Sequence, residues 1–321
     1  MKEIGGYFGL EQLIDSAYYQ DLIALNTARN ALLYLLRAKK VKKVSIPYYL
    51  CDSIRNTLAQ NHYQVQYYSI DSRFRPIFDR QLDDHEYLFV VNYYGQLSQD
   101  TLLSWKENYN NMILDNTQTF FQRPITGIDT IYSCRKYFGV PDGAYLATNS
   151  KLKENLKTDV SRDRMTHILG RFEGLASDHY AAFKRNEKSL QDEPVKYMSK
   201  LTRNLLGAID YDRVRKTRDR NFSYLDRKLK KINRLAWHKP VGPFAYPFYI
   251  ENGRTIRKKL AEKQIYIPVL WPNILNECTK DSIEYEFAAN LLPLPCDQRY
   301  GLTEMAYLND TLIDIINQTR K

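Results

Sequence analysis

The sequence predicts an α/β protein in which a large domain with a mostly parallel sheet is followed by a smaller α+β domain. Helix-like and strand-like segments alternate through the first half of the 321 residues, the pattern of repeated strand–helix units. Residues 87–92 (YLFVVN) form a near-continuous apolar run, as expected of a strand covered on both faces. With 44% hydrophobic and 26% charged residues, the composition is that of an ordinary globular chain, and it excludes a disordered or fibrous one.

Taken in order, residues 26–40 place apolar side chains at helical spacing behind Asn26 or Thr27 as N-cap, and 41–48 read as a strand ending at Pro47. Residues 52–61 are helical, 63–70 a strand, and 87–92 the buried strand that stops at Tyr94-Gly95. A helix over 97–108 and strands at 112–114, 129–133 and 143–147 complete the first half. From 151 to 234 the chain is polar and helical, with a break near Glu193-Pro194. The remainder alternates a strand at 244–250, a helix at 255–263, a strand at 265–270 and a closing helix at 303–318.

No stretch approaches the roughly 20 apolar residues of a membrane span, and residues 1–6 carry no signal-peptide core, so a cytoplasmic location and no membrane partner are expected. Cys51, Cys134, Cys278 and Cys296 stand far apart, which suggests neither a zinc site nor a disulfide framework; no metal is expected. The net charge of +10 fits a nucleic-acid surface, an anionic small ligand or a solvated basic face. The cluster from Arg213 to Lys231 reads as the wet side of a helix, and the 26 tyrosines are dispersed rather than gathered in an RNA-binding box, so no nucleic-acid partner is expected.

In parallel sheets ligands bind beyond the carboxyl ends of the strands. Three such ends stand out: Leu25 before Asn26-Thr27-Ala28-Arg29, Leu114 before Asp115-Asn116-Thr117-Gln118, and Tyr132 before Ser133-Cys134-Arg135-Lys136. Together they match the needs of pyridoxal 5'-phosphate: a lysine for the Schiff base, a carboxylate for the pyridine nitrogen and donors for the phosphate. Lys136, Asp115 and the helix start at 27–30 supply the three. A phosphate at a helix N-terminus gains up to about 2 kcal/mol, and Arg29 adds a charge-assisted contact. Read singly, an Asp after a strand is a turn residue and an isolated Lys a surface charge. Arg299 is either a carboxylate anchor or a solvated loop residue.

With these motifs in order along most of its length, the chain resembles the DegT/DnrJ/EryC1/StrS family of fold-type I pyridoxal phosphate enzymes, mostly sugar aminotransferases. Residues 27–32 (TARNAL) resemble the family's S-G-T-A-A-L, 91–96 (VNYYGQ) its V-H-x-Y-G-Q, and 114–118 (LDNTQ) its E-D-A-A-Q. The phrase 133–144 (SCRKYFGVPDGA) is similar to its Schiff-base signature, and Met198-Ser199-Lys200-Leu201 to its M-S-E-L. The chain departs from the pattern where the phosphate-loop glycine is missing and Arg29 stands for a Thr, where Ser133 is only three residues before the lysine, and where the N-terminal arm is reduced to residues 5–11.

The resemblance implies a large cofactor-binding domain over 1–200 with a seven-stranded, mostly parallel sheet, and a small α+β domain over 201–321. It implies Lys136 as the catalytic Schiff-base lysine and general base, Asp115 on the pyridine nitrogen and Gln118 near the phenolic oxygen. Thr27, Ala28, Arg29 and Ser133 fall at the phosphate, and Tyr49 stacks on the ring or, alternatively, packs in the core. The implied activity is transfer of an amino group, often from glutamate, to a nucleotide-linked keto-sugar in deoxyamino-sugar or cell-surface polysaccharide biosynthesis, by a homodimer. Other chemistry on the same fold (a lyase, a dehydratase or a non-sugar aminotransferase) and an inactive relative acting as a binding protein are the alternatives.

Overall fold

The structure of the protein, a computed structural model, describes residues 6–319. The first five residues, among them Gly5 of the short arm and most of the start read for a signal peptide, lie outside the described residues. In chain order the first half comprises β1 (Ile23–Leu25), α1 (Ala28–Ala38), β2 (Lys43–Pro47), α2 (Asp52–Gln60), β3 (Gln64–Ile70), β4 (Pro76–Ile77), β5 (Glu86–Val91), α3 (Gln99–Asn108), β6 (Met112–Asp115), β7 (Asp129–Ser133) and β8 (Ala144–Ala147). Helices α4 (Thr166–Glu173), α5 (Tyr180–Ser189), α6 (Lys200–Gly207) and α7 (Tyr211–Leu229) follow. The chain closes with β9 (Tyr246–Tyr249), α8 (Gly253–Glu262), α9 (Ile274–Glu277), α10 (Ile283–Asn290), β10 (Leu291–Leu294) and α11 (Leu302–Thr319).

The large sheet runs β1-β8-β7-β6-β5-β2-β3-β4. Strands β2, β3, β5, β6 and β7 pair in parallel, and β8 is antiparallel to both β7 and β1, so β1 points the same way as the parallel set. The expected α/β fold with a mostly parallel sheet is what the chain adopts; the two-residue β4 is an edge addition to the seven longer strands. This polarity brings Leu25, Pro47, Val91, Asp115 and Ser133 to one edge of the sheet, and β8 starts at that same edge. Loops leaving this edge carry every candidate residue.

Burial explains the strands. All of β6 and β8 and residues 44–47 of β2 are buried, because helices cover both faces. Helix α1 turns Ala31, Leu32, Leu35 and Leu36 onto the sheet, and Arg37 sits in the last turn where the helix dipole favours a cation. A second core, from Phe222 to Ile316, packs α7, α8 and α11 on the antiparallel pair β9–β10. Residues 265–270 are irregular rather than a strand. Gln264 and Trp271 have left-handed φ of 59° and 62° at either end, and Pro268 lacks a ladder donor. Among the described residues no helix is long and apolar enough to cross a membrane.

Candidate active site

At the end of β1, Asn26 is fully buried and its side chain is spent on structure. Its Oδ1 accepts from Thr27 N at 3.1 Å and Asn30 Nδ2 at 3.0 Å, and its Nδ2 donates to the Pro194 carbonyl at 3.0 Å. Thr27 caps α1, its Oγ1 accepting from Asn30 N at 3.2 Å. The backbone N–H groups of Ala28 and Arg29 have no partner among the described residues. The first turn of α1 therefore offers two free peptide donors at the positive end of an 11-residue helix.

Arg29 makes no ion pair among the described residues and is only partly exposed. Burial holds its guanidinium below its ordinary range, and the like charge of Arg135 adds to this, while Cys51, Glu187 and Asp192 act against it. Arg135 itself is ion-paired to Glu187. The unpaired guanidinium of Arg29 and the free peptide donors thus lie at the same end of the same helix.

Asp115 closes β6 with 6% of its surface exposed, and its Oδ1 accepts from Thr117 N at 2.8 Å. Burial raises its pKa; Thr117 and then the ammonium of Lys136 pull it back down. Its Oδ2 makes no hydrogen bond among the described residues. Lys136 ends the short turn after β7, is exposed in the single chain, and has its Nζ 5.8 Å from the centre of the Phe244 ring. It forms no ion pair among the described residues, yet it acts electrostatically on Asp115.

Gln118 is oriented unambiguously. Its Oε1 accepts from the backbone N–H of Tyr94 at 2.9 Å, which only an oxygen can do, so the buried Nε2 faces away and has no partner. The fold holds Tyr94 for this contact at φ 51°, followed by Gly95 at φ 72°, where a Cβ would fall 2.6 Å from Thr119 Cγ2 and 2.8 Å from Pro240 Cβ. Tyr137 adds a bond from its hydroxyl to the Gln118 carbonyl at 2.7 Å. Ser133 is 7% exposed at the end of β7, and its hydroxyl makes no hydrogen bond among the described residues.

Tyr49 is not at this site. It is 1% exposed and its ring lies edge-on to Trp271 at 4.5 Å, with Tyr93 at 5.5 Å and Phe287 at 5.9 Å, so it packs as a core residue. Its hydroxyl is driven up by burial. In the same loop lies Cys51, which sequence reasoning did not single out. Burial raises its thiol pKa, the ammonium of Lys136 lowers it most among the charges, and Asp115 and Arg29 act on it with opposite signs. Cys51 follows the carboxyl end of β2 and is the N-cap of α2, so the strand-end rule is the signal that marks it.

The loop after Lys136 is tied down by Asp142, which is fully buried. It accepts from Ser199 N at 2.9 Å, from Ser199 Oγ at 2.7 Å and from Thr202 Oγ1. Gly143 at φ 118° follows, its N–H donating to the Asn26 carbonyl at 2.6 Å, so the lysine loop and the start of α1 are bonded to each other. Arg299 is bound bidentately by Asp297 at 2.7 and 2.8 Å and is spoken for.

A lone amine, a carboxylate with a free oxygen, an unpartnered amide donor and a helix start beside an unpaired guanidinium form the donor set that pyridoxal phosphate asks for.

No protein-family model and no curated protein matches the sequence. Solved structures do match. A DegT/DnrJ/EryC1/StrS aminotransferase from Brucella abortus superposes with a TM-score of 0.62 at 13% identity, over 91% of this chain and 85% of its own. A sugar aminotransferase from Micromonospora echinospora gives 0.60 at 11% identity, over 91% and 86%. NtdA from Bacillus subtilis, with bound cofactor PMP, gives 0.63 at 15% identity, over 94% and 74%. The chain has the sugar-aminotransferase fold. The DegT/DnrJ/EryC1/StrS resemblance read in the motifs therefore extends to the whole architecture, although identities of 11–16% speak for the fold and not for the reaction. Within this aminotransferase fold, the edge that carries Asp115 and Lys136 is the carboxyl edge of the sheet.

Proposed function

We propose that this chain is a pyridoxal phosphate-dependent aminotransferase that moves an amino group, from glutamate, to a nucleotide-linked keto-sugar in deoxyamino-sugar or cell-surface polysaccharide biosynthesis. The observation that carries this reading is that one edge of the sheet gathers the buried carboxylate of Asp115, the unpartnered amide donor of Gln118, the turn that holds Lys136 and, bonded to the lysine loop through Gly143, the start of α1 with Arg29. When bound, the cofactor supplies an aldehyde carbon and a cationic ring that takes up an electron pair. The free N–H groups of Ala28 and Arg29, with the Arg29 guanidinium, bind the phosphate. Asp115 Oδ2 accepts from the ring nitrogen and, as an anion facing a cation, stays ionised despite its burial. Gln118 Nε2 donates to the ring oxygen. Lys136 Nζ would hold the cofactor through its aldehyde carbon and, as a free amine, would carry the proton at the reacting carbon.

Incubation with pyridoxal phosphate followed by sodium borohydride and peptide mass mapping tests this. The adduct is expected on the peptide containing Lys136, and the Lys136→Ala protein is expected to show none. An adduct confined to other lysines overturns the assignment. Release of 2-oxoglutarate from glutamate by the loaded protein separates amino transfer from the other chemistries.

We read the assembly as a homodimer. The support is apolar surface: Tyr7 and Phe8 of the arm are 97% and 96% exposed, and Phe172 of α4 is 90% exposed with Leu169 and Leu175 beside it. Sedimentation is expected to show a species of twice 37.9 kDa at micromolar concentration. A single monomer boundary there overturns it.

A further inference from the structure

A second site lies on the small C-terminal core, and none of its residues belongs to the cluster around Lys136. Arg254, Arg257 and Lys258 occupy one stripe of α8, because residues three and four apart stand over one another on a helix. With Tyr266 and Leu275 they line a cavity of about 380 Å³, within the range of roughly 300–1,000 Å³ found for small-ligand sites.

None of these three cations makes an ion pair among the described residues, so each keeps its charge for a ligand. Glu262, one turn further along α8, pairs with none of them. Arg257 donates from Nη2 to the Leu291 carbonyl at 3.0 Å, and its Nε is buried without a partner. Burial holds this guanidinium below its ordinary range, and Arg254 adds like-charge repulsion.

Each like-charged pair at this spacing costs a few tenths of a kcal/mol, and a buried donor without an acceptor costs about 1–3 kcal/mol. A bound anion relieves the first of these costs. Two planar guanidinium forks and an ammonium within one helical turn suit the several oxygens and double charge of a phosphate better than a carboxylate. The rest of the lining is largely apolar, with Val269, Leu275 and the ring of Tyr266, which is 67% exposed.

We propose that this cavity binds a small phosphate monoester, its phosphate held by Arg254, Arg257 and Lys258 and its organic body laid against Tyr266. The site stands independently of the cofactor reading, since its lining is its own.

Calorimetric titration of the full chain with inorganic phosphate and with uridine monophosphate tests it. Both probes are expected to bind saturably, and the double variant Arg254→Gln/Lys258→Gln, at two exposed positions, is expected to weaken both by roughly tenfold or more, with a flatter salt dependence. Tyr266→Ala is expected to weaken uridine monophosphate more than inorganic phosphate, which a general loss of fold would not do. Arg29→Gln is expected to leave both affinities unchanged, so phosphate taken up at the start of α1 is distinguishable from phosphate bound here. Binding that survives the double variant intact, or no saturable binding of either probe at millimolar concentration, overturns the proposal.

Discussion

Asp115→Asn is expected to stabilise the cofactor-free chain while crippling the loaded one. Burial raises the pKa of this carboxyl above its ordinary value, so the folded chain binds the proton more tightly than the unfolded chain does. The sign follows directly. Stability is greatest below the unfolded pKa, is lost as pH rises through the raised folded value, and stays lost at neutral pH, where the buried group is forced to ionise. Removing the charge restores that loss, and the melting temperature of the empty Asp115→Asn protein at pH 7 should lie above that of the wild type. Binding of a cationic ring reverses the balance. Losing one partner of a buried ion pair costs about 3–5 kcal/mol, or two to four orders of magnitude in cofactor affinity. Absorbance titration with pyridoxal phosphate and thermal melts of empty protein read the two halves separately. Wild-type cofactor affinity in Asp115→Asn would falsify the role given to this residue.

Asp142→Ala is expected to be the most destabilising single change near the site. It strips the acceptor from Ser199 N, Ser199 Oγ and Thr202 Oγ1 at a residue with no exposed surface. A buried donor left unmade costs about 1–3 kcal/mol, so a loss of at least about 3 kcal/mol is expected against a typical total of roughly 5–15 kcal/mol. Ser199 keeps its capping bond to Thr202 N at 3.1 Å, which limits the damage to the start of α6. Urea denaturation followed by circular dichroism measures it. A midpoint within error of wild type would show that the network contributes nothing to stability.

The same residues show where the sequence is readable and where it is not. Strand β5 stands out because a short run rich in apolar and β-branched residues and bounded by turn residues is consistent with a strand covered on both faces. Strand β1 has only three residues, too short for any period, and β10 contains Pro293, which lacks a ladder donor and is tolerated there because the two-stranded pair leaves each strand an open edge. Residues 265–270 have a strand's composition but are fixed by left-handed turns at both ends. At the site, Asp115, Gln118 and Lys136 are marked by their places after strands. Tyr49 and Cys51 share one loop, and which of them turns inward to the aromatic core depends on Trp271 and Phe287, more than two hundred residues away. The bond from Asp142 to Ser199 likewise joins two recognisable phrases whose partnership no local pattern contains.

The turn at 26–30 has a consequence for discrimination between ligands. Asn26, Thr27 and Asn30 lend their side chains to one another and to carbonyls at 193–194, so what the helix start offers a ligand is main chain and the single guanidinium of Arg29. Such a grip recognises charge and size and is blind to the rest of the molecule. On the proposed function, any discrimination between ligands falls to side chains beyond this handle.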